Sequence, residues 1–178
     1  MFDTNDHYGS HDPLVVLARE AIESFLSGDN EVEIPILGSS QPKRAGCFVS
    51  LHLLSTGDLR GCIGTIEPTE ASLAQEIVHN AIAAATQDPR FPPVQKKELD
   101  DIYISVDVLF EPEPTTMDNL DPSRFGVIVT KGLKRGLLLP DLEGVETVEE
   151  QVSIACMKAG IDPRSSFEIE RFEVVRHT

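Results

Sequence analysis

The run Leu59-Arg60-Gly61-Cys62-Ile63-Gly64-Thr65 sets a cation, a thiol and two glycines into a stretch that otherwise reads as a β-strand. Glycine inside a strand costs roughly 0.5–1 kcal/mol against alanine, so the pair means that something needs a bare backbone there. A ligand, a partner backbone or a bulge would each require it. Cys62 offers a nucleophile or a redox thiol, provided that a histidine, a cation or a helix N-terminus stabilises its thiolate. Arg60 shares its face two residues away, and a guanidinium matches carboxylate or phosphate with two parallel hydrogen bonds. The N–H groups near Gly61 and Gly64, with the Thr65 hydroxyl, would complete an anion cradle. Each residue also has a plainer reading. A free cysteine on a strand is ordinarily a core residue, and Arg60 has Asp88, Glu67 and Glu76 as candidate internal partners. Asp88 and Arg90 flank Pro89 in a stiff connector expected to fold back near the heptapeptide, either as a second polar pair at a cleft or simply as the cap and turn after a helix.

The elements that must position these residues follow from periodicity. Leu14, Leu17, Ala18, Ala21, Ile22 and Phe25 lie on one helical face, with Asp12 as cap, Pro13 in the first turn and Gly28 as stop. Glu31 to Gly46 reads as a loop with a short extended piece at 32–36. A hairpin follows, Cys47 to Leu54 and Leu59 to Ile66 about a turn at 55–58, with His52 opposite Gly61 and Leu51 opposite Cys62. That register sends His52 to the face away from Cys62. Thr69 caps a helix through about Gln87, with Leu73, Ile77, Ala81, Ala84 and Ala85 inward and His79 toward water. A strand with Ile102, Ile104, Val106, Val108 and Phe110 on one face closes the first half. The second half repeats the order: strands Val127–Thr130 and Gly136–Leu139, a helix from Thr147 to Lys158 opened by a Thr147/Glu150 capping box, and a strand Phe167–Val175. The expectation is an α+β fold: a mainly antiparallel sheet with flanking helices, a duplicated hairpin-helix-strand unit and two subdomains. Residues 1–12 are expected to be a flexible start, and 13–178 a single domain with lobes of about 13–114 and 115–178.

Composition narrows the functional classes. A chain of 178 residues buries about 70% of its unfolded surface, enough for one sizeable core. The formal net charge of −15 disfavours nucleic-acid binding, which draws on clustered Lys and Arg. No apolar run approaches a membrane span, and residues 1–11 lack the pattern of a secretory signal. Three cysteines, Cys47, Cys62 and Cys156, without a C-x-x-C pair argue for reduced thiols in the cytoplasm rather than a disulfide framework. His7, His11, His52, His79 and His177 lack metal-ligand spacing, and no phosphate loop, dinucleotide fingerprint or nucleophile elbow is present, so neither metal nor cofactor is expected.

Gly46-Cys47-Phe48-Val49-Ser50-Leu51, the heptapeptide, Ala84 to Phe91, Gly136-Leu137-Leu138-Leu139-Pro140 and Cys156-Met157-Lys158-Ala159-Gly160 together resemble the AMMECR-type domain family. The resemblance implies a two-subdomain α+β fold with a cleft near the heptapeptide. It also implies a pathway shared with Memo-like proteins and radical S-adenosylmethionine enzymes, and no established catalytic activity. Two readings stand. In one, the chain is a binding or accessory module whose cleft, with Arg60, Gly61, Gly64, Thr65, Asp88 and Arg90, accepts a small anionic metabolite or a partner protein. In the other, it is a small-molecule enzyme with Cys62 as nucleophile or redox thiol and Arg60 orienting the substrate.

Overall fold

The computed structural model describes residues 11–29 and 31–178. The expected flexible start therefore lies outside the described residues up to residue 10, as does His7. The chain forms two compact units. The first runs to Val108 and takes in Arg176–Thr178, while the second holds Leu109–Val175, so the passage lies a few residues before the division at 114 read from the sequence. All strand pairs within the units are antiparallel, and with the helices they make an α+β protein.

In the first unit, helix α1 (Pro13–Ser27) starts where Asp12 accepts the Leu14 N–H and stops at Gly28, whose φ of 82° suits glycine. The hairpin β1 (Cys47–Leu53) and β2 (Leu59–Gly64) pairs with β3 (Ile102–Leu109) in the order β2-β1-β3. Cys47, Val49 and Leu51 of β1 and Ile102, Ile104, Val106 and Val108 of β3 bury one sheet face against α1 and α2 (Leu73–Thr86). The opposite face carries Phe48, Ser50, His52, Tyr103, Ser105 and Asp107 in cross-strand rows. Asp107 is buried and receives two hydrogen bonds from Arg176, at 2.8 and 3.0 Å, which anchors the chain's last residues in this unit.

Helix α2 begins one turn later than expected, at the N-cap Ser72 rather than Thr69. The cause is Glu76. Its fully buried carboxylate accepts the Thr69 and Glu70 N–H groups at 2.8 and 2.7 Å and the hydroxyls of Thr65 and Thr69 at 2.6 and 3.0 Å. Residues 65–70 thus wrap around a side chain instead of entering the helix. Burial alone would push the Glu76 carboxyl up, but these donors outweigh it and hold the group below its usual value.

The second unit repeats the plan. β5 (Phe125–Lys131) and β6 (Lys134–Leu138) form a hairpin, α3 (Val148–Ala159) follows with its Thr147/Glu150 capping box, and β7 (Glu168–His177) pairs with β5. A two-residue strand, β4 (Glu113–Pro114), adds to β7 and was not foreseen. The repetition extends to single contacts. Gly61 faces the Ala84 carbonyl oxygen of α2, which would lie 2.3 Å from an added Cβ, and Gly136 faces the Ala155 carbonyl oxygen of α3 at 2.2 Å. Asn80 of α2 donates to the Cys47 carbonyl at 3.0 Å, and Gln151 of α3 donates to the Phe125 carbonyl at 2.8 Å. Each helix is pressed onto its hairpin by a glycine and tied to the start of the first strand by a buried amide.

Because the obstructing atoms at these glycines belong to backbone, Gly61→Ala and Gly136→Ala are each expected to lower unfolding free energy by about 1–3 kcal/mol, read by urea denaturation. Glu76→Gln is expected to cost about 1–3 kcal/mol at neutral pH by leaving donors unmatched. A carboxyl held low in the fold stabilises above its ordinary value of 4.5 and loses that contribution as pH falls through the folded value. The Gln variant is therefore expected to lose less stability than wild type between about pH 5 and about pH 3, measured by the same denaturation series.

Candidate functional site

The heptapeptide forms β2, the edge strand of its sheet, and the register differs from expectation by one residue. Ser50 faces Cys62, Leu51 faces Gly61 and His52 faces Leu59, with a bulge at the Leu51/His52 step that leaves Arg60 as the extra residue. Turn length alone predicts pairing without the bulge. As a result Cys62 lies on the same face as Ser50, whose hydroxyl donates to its sulfur at 3.3 Å, and His52 also belongs to that face rather than the opposite one. His52 is stacked on Tyr103 with ring centroids 5.0 Å apart, and burial together with nearby Arg176 lowers its pKa. It is held as a neutral, packed ring.

Both glycines of the heptapeptide are accounted for by internal packing. Gly61 admits α2, and an added Cβ at Gly64 would lie 2.3 Å from the Phe48 ring and 2.7 Å from the Cys47 carbonyl oxygen. Thr65 is equally committed, donating to Glu76 at 2.6 Å and accepting from Asn80 at 3.1 Å. Arg60 is neutralised by none of the three acids anticipated. Its partner is Glu98, on a 3-10 turn at Lys96–Asp101, which accepts Nε at 3.0 Å and Nη2 at 3.3 Å. The side chain is only 11% exposed, and Nη1 is buried with no hydrogen-bond partner among the described residues.

Asp88 and Arg90 do fold back onto the strand. The almost fully buried Asp88 carboxylate accepts the Cys62 N–H at 2.9 Å, the Arg90 N–H at 3.0 Å, and Arg90 Nε and Nη2 at 3.0 and 2.7 Å. The Arg90 guanidinium, followed by the backbone donors, holds the Asp88 carboxyl far below the usual carboxylate range. Residues 88–98 thereby seal the free edge of β2, with Asp88 at Cys62 and Glu98 at Arg60. Arg90 itself is 55% exposed, and its Nη2 shares Asp88 Oδ2 with the Cys62 N–H. The cation tied to the Cys62 backbone through one carboxylate is thus Arg90, while Arg60 is paired with Glu98.

The second unit serves as an internal reference. Arg135-Gly136 occupies the place of Arg60-Gly61, and Arg135 meets Glu170 at 3.5 Å. Asp162-Pro163-Arg164 after α3 matches Asp88-Pro89-Arg90 after α2, with Asp162 likewise accepting the Arg164 N–H and Nε. That repeated tripeptide was readable in the sequence and was missed. Arg-Gly and Asp-Pro-Arg therefore belong to the duplicated scaffold. What the first unit adds is the thiol, since Leu137 stands in the place of Cys62. It also adds a buried Asp88, whereas the Asp162 side chain is 56% exposed. Among the described residues no cluster of His, Cys, Asp or Glu could hold a metal ion, and no helix is long and apolar enough to cross a membrane.

Comparison with known proteins gives the same outline. A family model described as AMMECR1 matches residues 15–177. A Thermotoga maritima protein is 61% identical over 176 residues, covering 95% of this chain and 98% of its own length. Protein CA_C1420 of Clostridium acetobutylicum is 53% identical over 93% of this chain, which spans only 36% of that longer relative. The crystal structure of uncharacterized protein PH0010 from Pyrococcus horikoshii is similar with a TM-score of 0.77 and 34% identity, over 92% of this chain and 88% of that one. With nearly the full length matched in sequence and in fold, the chain belongs to the AMMECR1 family.

Proposed function

We propose that the chain is a binding or accessory module that accepts a small anionic ligand at the corner formed by Cys62, Asp88 and Arg90. The posture of Arg90 carries this reading. Asp88 holds Nε and Nη2, leaving Nη1 of a half-exposed guanidinium without a hydrogen-bond partner among the described residues. A cation fixed by a buried carboxylate loses little side-chain entropy when a ligand oxygen arrives, which favours binding. Gly61, Gly64 and Thr65 support the corner from within, because their free space and polar groups are taken up by α2, Phe48 and Glu76, and Glu98 holds Arg60 through Nε and Nη2. In this role its partners would be the Memo-like and radical S-adenosylmethionine proteins implied by the family likeness.

A second reading keeps Cys62 as a nucleophile or redox thiol. One observation favours it: Cys62 is half-buried, its sulfur accepts the Ser50 hydroxyl at 3.3 Å, and its N–H shares the Asp88 carboxylate with Arg90.

Titration with inorganic phosphate and with short dicarboxylates, read as the shift of the thermal midpoint, tests the first reading. A ligand that raises the wild-type midpoint is expected to lose its effect in Arg90→Gln and to keep it in Cys62→Ser. If Cys62→Ser instead abolishes complementation of a deletion strain while the ligand shift persists, the thiol chemistry is the function. A midpoint shift that survives Arg90→Gln sinks the corner as the binding site.

A further inference from the structure

The sheet face of the first unit turned away from α1 and α2 carries a polar row that the apolar core does not require. Register places Cys62 of β2, Ser50 of β1 and Ser105 of β3 side by side, and the Ser50 hydroxyl donates to the Cys62 sulfur at 3.3 Å. Cys62 and Ser50 are half-buried, while Ser105 is almost fully buried. His52 lies one row along on the same face, and its Nδ1 is buried with no hydrogen-bond partner among the described residues. A buried polar atom left without a partner destabilises the empty state, and a ligand atom that meets it recovers the loss.

Two guanidinium groups bracket this row, both within the first unit, and they are held alike. At the β2 edge, Asp88 takes Nε and Nη2 of Arg90 at 3.0 and 2.7 Å. On β3, Asp107 takes Nε and Nη2 of Arg176 at 2.8 and 3.0 Å. Both arginine side chains are 55% exposed, whereas their carboxylates are only 3% and 4% exposed. Each pair is neutral in sum, but the acid is turned into the protein and the donor toward solvent, so an arriving anion meets the guanidinium first. Other arginine pairs lack this contrast. In Arg124–Glu173 and Arg164–Asp162 the acid is exposed as well, and in Arg60–Glu98 the cation is itself buried. Asp88 meets the Cys62 N–H, and Asp107 lies two residues beyond Ser105. With strands about 4.8 Å apart and residues rising about 3.4 Å each, the two carboxylates stand roughly 10–15 Å from one another.

We propose that the first unit binds an elongated ligand with an acidic group at each end, one seated on Arg90 and the other on Arg176, and with a polar middle facing Cys62 and Ser50. This rests on Arg90 accepting an anion at the corner, and it adds the second end and the length of the ligand. Both guanidinium groups are fixed in advance by their carboxylates, so little side-chain entropy is lost on binding. Joining two acidic groups makes the second contact intramolecular, and affinity peaks where the linker matches the span. The neutral His52 ring adds no charge to the face, and its bare Nδ1 offers the middle of the ligand one further hydrogen bond.

Calorimetric titration of the full chain with α,ω-dicarboxylates of about four to about fourteen carbons, and with the matching monocarboxylates, tests the span. Affinity is expected to peak at an intermediate length, at least about tenfold above both the shortest diacid and the monocarboxylate of equal length. Asp107→Asn with Arg176→Gln, which removes the cation without stranding a buried acid, is expected to erase the peak and to leave short-diacid binding unchanged. Arg176→Lys keeps the charge and loses the fork, and is expected to lower the peak at least about threefold, which serves if the double variant fails to fold. Affinity that rises with length equally for both series, a peak that survives the Arg176 variants, or no diacid binding at all overturns the proposal. Short-diacid binding that is lost in Arg90→Gln, with no peak in length, overturns the two-ended ligand alone and leaves the corner standing. Binding undiminished in Arg90→Gln overturns both.

Discussion

The close approach of a helix backbone to a strand backbone governs this protein. At Gly61 the Ala84 carbonyl oxygen occupies the space that any other residue would fill with its Cβ, so α2 sits directly on β2. From that contact the rest of the first unit follows. Asn80, one turn earlier, reaches the Cys47 carbonyl, and the helix ends where Asp88 can meet the Cys62 N–H. A helix held further out by even one methyl group would carry Asp88 away from the strand and leave Arg90 without its anchor. The position of the thiol corner is thus a result of packing on the other side of the sheet.

Duplication separates scaffold from specialisation. Both units use an Arg-Gly at the start of the second hairpin strand, a buried amide from the helix to the first strand, and an Asp-Pro-Arg turn after the helix. Features present in both are the means by which a short helix is fastened to a hairpin. The first unit departs from this plan by replacing a leucine position with Cys62, by burying the aspartate of the turn, and by wrapping residues 65–70 around Glu76. These polar groups, set into an otherwise repeated apolar plan, are what distinguishes the first unit from the second.

Much of the fold was legible because it rests on local signals. The stripe Leu14 to Ile22 with Asp12 and Gly28, the capping box at Thr147, and the alternation Ile102 to Val108 each reflect interactions within a few residues of chain. The site was less legible because its determinants are distant or irregular. The bulge at Arg60 is set by the neighbouring strand and shifts the pairing that decides the face of His52. Glu98 finds Arg60 across 38 positions, from a 3-10 turn that leaves no periodic trace. The two glycines signalled a bare backbone correctly, but sequence alone does not say whether a ligand or the protein's own helix takes up the space. The heptapeptide is conspicuous for a packing reason.

The hydrogen bond from the Cys62 amide to Asp88 gives one peptide group an unusual allegiance. Amides inside a sheet are released only when neighbouring strands part, whereas this one answers to a carboxylate shared with an exposed arginine. Anything that pulls the Arg90 guanidinium off Asp88 changes the electron density on that acceptor, and the strand feels it through a single N–H. Isotope exchange at this one amide therefore reports on the Asp88–Arg90 contact separately from the breathing of the whole molecule.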